Sequence, residues 1–321
     1  MSLKGQDMEG LTEKMYEIAE SQGEWLTKDE LRQYASVSDE GRTAIINYLK
    51  SQGIQDSEYT FSDLGDEVEI RSSVSQASQM LSSNFEIFSV AGEKKREFYK
   101  TSKYVPSQGD PQNVDVAIVQ YNNQSISQKD LTQFLKEFRP DAAGYSVPIF
   151  ELEGAKNDPS KAGDEAMLDV EIVVGQTFPL QTTVYYFGDS DSVFSSTFQH
   201  FIKADSQPKI VTVSYAVQES ELTRAQAFDN CWNAQKLAAL GTTIFFGSGD
   251  WGVGTYNKSK TCPPFRPLFP STCQFITSVG GTQKFSPEEV ASRAFSAYYS
   301  VAEPQTSFQR LNSKSQLSLS I

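Results

Sequence analysis

The chain has 321 residues, with 28 Lys and Arg against 41 Asp and Glu, and a formal net charge of −13. This length is sufficient for one large core and a second, smaller domain. The acidic balance argues against a binder of nucleic acid or of anionic membranes, because such proteins need a basic face to displace counterions. The single histidine, His200, excludes a metal site built from several imidazoles. Carboxylates are therefore the candidates for proton transfer in any catalysis.

Residues 1–106 have the pattern of a small α+β domain. Helices are expected at residues 8–20, 27–35, 42–52 and 74–81, and strands at 57–61, 67–71, 85–90 and 95–104. The second helix opens with the capping box Thr27-Lys-Asp-Glu30, and Ser38 and Asp39 cap the third. A Pro- and Gly-containing linker follows at residues 105–111.

Residues 114–285 alternate between strand-like and helical patterns. The strands are expected at 114–121, 147–152, 182–187, 210–215, 242–246 and 275–279, and the helices at 128–138, 164–174, 193–204 and 219–240. Apolar, β-branched runs separated by amphipathic helices predict a parallel sheet covered on both faces, with the functional site at the carboxyl ends of its strands. The last segment, 286–321, is rich in Ser and Gln and is predicted to be a divergent, disordered tail.

Two carboxylates stand four residues apart at the start of one predicted helix. Glu165 and Asp169, in Gly163-Asp-Glu-Ala-Met-Leu-Asp, therefore project from the same helical face. One interpretation is a solvated acidic face that the helix N-terminus favours. The other is a carboxyl pair that shares one proton and acts as a general base in acid, where a histidine would be protonated.

Asp250 follows a predicted strand in a glycine-rich turn, Gly247-Ser-Gly-Asp-Trp-Gly. The spacing formally matches a dinucleotide-binding turn, but the segment comes late in the chain and runs into a loop instead of a helix, so we reject that interpretation. Two alternatives remain. Asp250 either caps a tight turn, or in acid it is protonated and donates a hydrogen bond to a developing oxyanion. His200 is interpreted as a surface or supporting residue without a catalytic role.

Three cysteines and two glycosylation sequons bear on the cellular compartment. Cys262 and Cys273 bracket a Pro-rich segment and are predicted to form a disulfide in a secretory pathway, with Cys231 free inside a helix. Alternatively, all three are buried thiols. The sequons begin at Asn123 and Asn257, although so short a motif also occurs by chance.

Several of these segments together resemble one family, the sedolisins, which are serine-carboxyl peptidases that include tripeptidyl-peptidases. The helix 163–170 resembles the family's GEANLDV motif, and the turn 247–253 resembles SSGDxGV. Residues 211–215 are similar to a family strand that reads SISYG, and 269–282 to one that reads FPAxCPYVTSVGGT. The N-terminal unit resembles the pro-kumamolisin activation domain.

The resemblance implies a subtilisin-like parallel sheet with flanking helices, preceded by a propeptide, in an enzyme that cleaves peptides or proteins in acid. A serine would attack the peptide carbonyl, Glu165 would accept its proton, Asp169 would orient Glu165, and Asp250 would help to form the oxyanion hole. It also implies a calcium ion, a monomer that binds neither nucleic acid nor membrane, and an extracellular or acidic vacuolar or lysosomal location.

Three departures from the family pattern shape the functional expectation. The nucleophile's GTSAS motif does not occur in the sequence, and the C-terminal calcium site is expected to be absent. The junction at 106–114 is shorter than the family's activation junction, which implies that the first stretch of the mature enzyme is deleted. No signal peptide is recognised at Met1–Gly10. The chain is therefore predicted to be an inactive, truncated member. The alternative is a pseudoenzyme or fragment whose propeptide inhibits a related protease.

Overall fold

The structure is a computed structural model, and it describes residues 3–81, 114–121, 124–188, 193–250, 266–283 and 289–290. The chain divides into two compact units, Met1–Lys100 and Thr101–Ile321. The strands predicted at 85–90 and 95–104, the linker at 105–111, both sequon asparagines and Cys262 lie outside the described residues. Within the described ranges, no helix is both long enough and apolar enough to cross a membrane.

The first unit is built from helices and one antiparallel hairpin. Its elements are α1 (Met8–Ser21), α2 (Lys28–Ala35), α3 (Asp39–Ser51), β1 (Tyr59–Phe61), β2 (Val68–Ile70) and α4 (Val74–Leu81). The predicted capping box is present, because Thr27 accepts from the backbone of Glu30 while the Glu30 carboxylate accepts from the backbone N–H of Thr27. Leu49, Ile54 and Val68 are buried and form a core between α3 and the hairpin.

The second unit contains a six-stranded parallel sheet with the order β10-β8-β6-β3-β5-β4. The sheet strands are β3 (Asp115–Gln120), β4 (Ile149–Leu152), β5 (Gln181–Phe187), β6 (Ile210–Val213), β8 (Thr243–Gly247) and β10 (Thr277–Val279). The helices are α5 (Gln128–Phe138), α6 (Asp164–Thr177), α7 (Val193–Lys203) and α8 (Arg224–Ala239), and short strands outside the sheet are β7 (Val217–Gln218), β9 (Leu268–Phe269), β11 (Thr282–Gln283) and β12 (Glu289–Val290).

Helices cover both faces of this sheet. Val184 on β5 packs in one core cluster with residues of α5 and α6, whereas its neighbour Tyr185 packs its ring against Phe201 of α7. Successive strand residues point to opposite faces, so these helices lie on opposite sides. The central strand β3 is buried from Val116 through Gln120. This arrangement confirms the predicted α/β architecture.

Two sequence predictions need correction in this unit. The helix expected at 219–240 is instead a short 3-10 turn, Glu219–Glu221, followed by α8. The cause is a second capping box, in which Thr223 caps the backbone of Gln226 and the Gln226 side chain caps Thr223 in return. In the segment predicted as a disordered tail, Glu289–Val290 forms β12 and pairs antiparallel with β11.

Candidate active site

The carboxyl ends of three adjacent strands bring polar side chains to one edge of the sheet. Gln120 is the last residue of β3, Ser214 follows β6 directly, and Asp250 lies three residues beyond the end of β8. These strands are neighbours in the order β8-β6-β3. Helix α6 packs against β3 and presents Glu165 and Asp169 to the same edge. Ligands bind at this edge in open parallel sheets.

Asp169 is held by two hydrogen-bond donors from different strands. The Ser214 hydroxyl donates to Oδ1 of Asp169 at 2.6 Å, and the Gln120 amide Nε2 donates to Oδ2 at 2.8 Å. The Tyr215 hydroxyl in turn donates to Oε1 of Gln120 at 2.7 Å. Both oxygens of Asp169 therefore have a fixed partner, which fixes the plane of its carboxyl group.

Burial makes both carboxyl groups of the pair reluctant to ionise. Burial raises the pKa of Glu165 to about 7, and the negative charges of Asp169 and Asp250 add to this effect. Burial also raises the pKa of Asp169 to about 6, although the hydrogen bonds from Ser214 and Gln120 oppose the rise. Asp250 is thus close enough to influence Glu165, and the structure brings together all three carboxyl groups that the sequence singled out.

The first turn of helix α6 is capped by a residue distant in the sequence. The N-cap residue itself is Gly163, which has no side chain that could cap the helix. The Oε1 atom of Gln124 accepts hydrogen bonds from the backbone N–H groups of Glu165 at 3.0 Å and Ala166 at 3.3 Å. A Cβ atom at Gly163 would overlap the Gln124 side chain. The glycine therefore allows Gln124 to reach the first turn, which carries Glu165.

Several known proteins are similar to this chain in sequence. The family model described as the pro-kumamolisin activation domain matches residues 1–114. A probable tripeptidyl-peptidase SED4 of Arthroderma benhamiae is 30% identical over 218 residues, which cover 60% of this chain and 36% of the relative. The tripeptidyl-peptidase sed4 of Aspergillus fumigatus is 28% identical over 232 residues, which cover 64% of this chain and 38% of the relative. The chain is thus similar to the pro-kumamolisin activation domain over its first third and to fungal tripeptidyl-peptidases over part of their length.

A solved sedolisin structure also matches the chain. Sedolisin from Pseudomonas, a serine-carboxyl proteinase complexed with two molecules of pseudo-iodotyrostatin, is 19% identical, with a TM-score of 0.46. The match covers 64% of this chain and 62% of that structure. The chain spans a little over a third of the length of the fungal relatives, 36% for the Arthroderma protein.

The disulfide of the second unit differs from the predicted one. Cys273 is bonded to Cys231 of α8, with the two Cα atoms 5.1 Å apart. The predicted pairing of Cys262 with Cys273, and the prediction that Cys231 stays free, are therefore wrong. Closeness in sequence favoured Cys262, whereas the fold brings the loop after β9 against α8 within bonding distance.

The remaining sequence-predicted groups lie away from the carboxyl groups or do not form a metal site. The His200 ring packs edge-on against Tyr185 and Phe187, and burial lowers its pKa. Within the described ranges, no three His, Cys, Asp or Glu residues are grouped so that they could hold a metal ion.

Sequence reasoning missed four residues of the site: Gln120, Gln124, Ser214 and Tyr215. Ser214 and Tyr215 lie in the strand segment that resembles the family, but no role followed from that likeness. Their signal in the sequence is their position just after apolar strand runs, where parallel strands place functional groups. Nothing in the sequence pairs them with Asp169, because the hydrogen bonds from Ser214 and Gln120 bridge 45 and 49 residues.

Proposed function

We propose that the second unit carries the acid–base machinery of a serine-type peptidase that acts in mild acid. Glu165 accepts the proton of the nucleophilic serine hydroxyl, Asp169 orients Glu165 and shares a proton with it, and Asp250 helps to form the oxyanion hole. The observation that carries this proposal is the pair Glu165 and Asp169, with pKa values of about 7 and about 6, at the carboxyl edge of the sheet.

The protonation of this pair defines the pH range of the proposed chemistry. Below about pH 6 both carboxyl groups are protonated, and no carboxylate remains to accept the serine proton. Between about pH 6 and pH 7 the pair holds one proton, and Glu165 accepts the serine proton when that shared proton lies on Asp169. Above about pH 7 the shared proton is lost and the site becomes more negative, which opposes the formation of an oxyanion. Activity should therefore follow a bell-shaped pH profile with its limbs near pH 6 and pH 7.

The 321-residue chain should not itself turn over peptides. The sequence contains no Gly-Thr-Ser string that could supply the family's nucleophile, and carboxyl groups without a nucleophile retain only weak catalysis from positioning. The alternative function is inhibition of a related peptidase by the activation domain, which the match to residues 1–114 supports. Peptide or protein substrates, a monomeric state and an extracellular or acidic vacuolar location are parts of this proposal.

Two experiments separate the peptidase from the inhibitor. The first is the sequence of the transcript beyond the codon for residue 285. An in-frame Gly-Thr-Ser supports the peptidase, whereas a stop codon without it supports the inhibitor. In the second, the 321-residue chain is added in increasing amounts to an active sedolisin-type peptidase, and the residual activity is measured. A stoichiometric loss supports the inhibitor, and unchanged activity contradicts it.

The role of Glu165 is tested in a form that carries the serine. Glu165→Gln should lower kcat by a factor of roughly 10² to 10⁴, because the general base is lost. Glu171→Gln is the matched control, since Glu171 lies on the same helix and burial likewise raises its pKa to about 7. Activity retained in Glu165→Gln, or lost equally in Glu171→Gln, would overturn the assignment.

A further inference from the structure

Tyr215 contacts Gln120 and not the carboxyl pair itself, yet it terminates a hydrogen-bonded chain that leads to Asp169. We propose that Tyr215 is a positioning residue: it keeps the amide NH₂ of Gln120 directed at Asp169 and thereby favours the anionic form of that carboxyl group. This inference rests on the proposed function, because it concerns the same carboxyl pair. The inference is supported by three members of this hydrogen-bonded series.

The first link is the amide of Gln120, which is buried with 1% of its surface exposed. The two ends of a glutamine amide have nearly the same shape, but only the NH₂ end can donate to a carboxylate. In the structure Nε2 lies 2.8 Å from Oδ2 of Asp169, and Oε1 faces Tyr215. A reversed amide would direct its carbonyl oxygen at Asp169, and only the protonated acid could donate a hydrogen bond to that oxygen.

The second link is the Tyr215 hydroxyl, which determines the direction of that amide. Its proton points to Oε1 of Gln120, and the two oxygen atoms are 2.7 Å apart. A reversed amide would place NH₂ against the hydroxyl and leave the hydroxyl proton without this acceptor. Burial raises the pKa of the Tyr215 hydroxyl, and the negative charge of Asp169 raises it further by a smaller amount. The hydroxyl therefore keeps its proton.

The third link is the carboxyl group itself, which meets groups from every surrounding element. Gln120 on β3 and Ser214 after β6 donate hydrogen bonds to it. The other acidic groups of the site are Glu165 on α6 and Asp250 after β8. Donors that favour ionised Asp169 separate its titration from that of Glu165. Tyr215 thus widens the pH range in which the pair holds a single proton.

The test is a carboxyl-carbon NMR titration of the 321-residue chain, which needs no catalytic turnover. Tyr215→Phe keeps the ring but removes the hydroxyl that orients Gln120. The hydrogen bond from Gln120 to the Asp169 carboxylate should then weaken, and the titration midpoint of Asp169 should rise by roughly half a pH unit to one unit. Tyr121→Phe is the matched control. It removes another buried hydroxyl, bonded to Thr197 at 2.6 Å, and should leave the Asp169 midpoint unchanged.

A double-mutant cycle separates positioning through Gln120 from a general packing effect. Gln120→Leu alone should raise the Asp169 midpoint at least as far as Tyr215→Phe does, and adding Tyr215→Phe to it should produce no further shift. An unchanged midpoint in Tyr215→Phe, or an additive shift in the double variant, would overturn the inference. If Glu165 and Asp169 of the parent both titrate near pH 4, the proposed function fails, and that outcome is independent of the cycle.

Discussion

Helices in the first unit and at the candidate active site both begin with a side chain that caps backbone N–H groups. The two caps differ in how far the capping residue lies from the helix in the sequence. Helix α2 begins on Thr27, whose partner Glu30 lies three residues away. Helix α6, which carries Glu165, begins on Gln124, which lies 41 residues before the backbone N–H that it caps. Local sequence therefore determines where α2 starts, whereas the start of α6 depends on the packing of the second unit. Disturbing the second unit's packing should affect its site directly.

The largest expected effect comes from the covalent link of the second unit. Cys273→Ser removes the disulfide to Cys231, which closes a loop with a sequence separation of 42. We expect the free energy of unfolding of that unit to fall by about 2–4 kcal/mol. Denaturant unfolding with and without a reducing agent measures it.

The controls for this prediction are within the chain. The first 100 residues contain no cysteine, so the unfolding of the first unit should not respond to the reducing agent. Cys262→Ser should leave the Cys231–Cys273 peptide intact in a non-reducing map. A map that links Cys262 to Cys273 would contradict the disulfide of the structure.

A smaller effect is expected from the remote cap. Gly163→Ala places a methyl group where the Gln124 side chain lies, which should break the cap and cost about 2 kcal/mol of unfolding free energy. Gly144→Ala is the matched control, because nothing lies within 4 Å of the added carbon. Equal stability of the two variants would show that the remote cap contributes little.

The carboxyl pair should make the second unit less stable as the pH rises. A carboxyl group whose pKa is raised in the folded state is most stabilising below its unfolded pKa, and this contribution is lost as the pH rises through the folded value, about 7 for Glu165. Allowing for solvent screening, we expect a loss on the order of 1–2 kcal/mol between pH 4 and pH 8.

Variants assign this pH dependence to particular groups. Glu165→Gln should flatten the profile of unfolding free energy against pH, and Glu171→Gln should flatten it as well, because burial raises its pKa to about 7. Only Glu165→Gln should also change the proposed catalysis. A parent protein that becomes more stable between pH 4 and pH 8 would contradict the pKa values of this region.

The smallest effect is expected at the local cap of the first unit. Thr27→Ala removes the side chain that accepts from the backbone of Glu30 and should cost about 1 kcal/mol. The loss should appear in the unfolding of the first unit and leave the titration of Asp169 unchanged. A change in that titration would show that the two units are coupled.

Sequence patterns predicted the elements whose causes are local. The helix at 74–81 and the helix at 128–138 coincide with α4 and α5, and all six strands of the parallel sheet were expected within a few residues of their bounds. The spacing of Glu165 and Asp169 also indicated a shared helical face. Each of these features depends on periodicity or on neighbours within four residues.

The features that sequence patterns missed depend on contacts between distant segments. Tyr215 and Gln120 are 95 residues apart and meet only after β3 and β6 pair. Cys231 and Cys273 meet only when the loop after β9 lies against α8. The start of α8 is the exception, because the Thr223 and Gln226 box was visible in the sequence and was overlooked in favour of a longer apolar pattern.

The central position of β3 has a consequence during synthesis on the ribosome. This strand is the first of the sheet to leave the ribosome, and its earliest partner, β5, starts 66 residues later, since Asp115 pairs with Gln181. At a translation rate of about 5–20 residues per second, the nascent strand waits roughly 3–13 s for that partner. For that time an apolar segment has both of its edges open to other chains. A chaperone that binds short apolar segments would therefore find its best target in the nascent chain at 116–119.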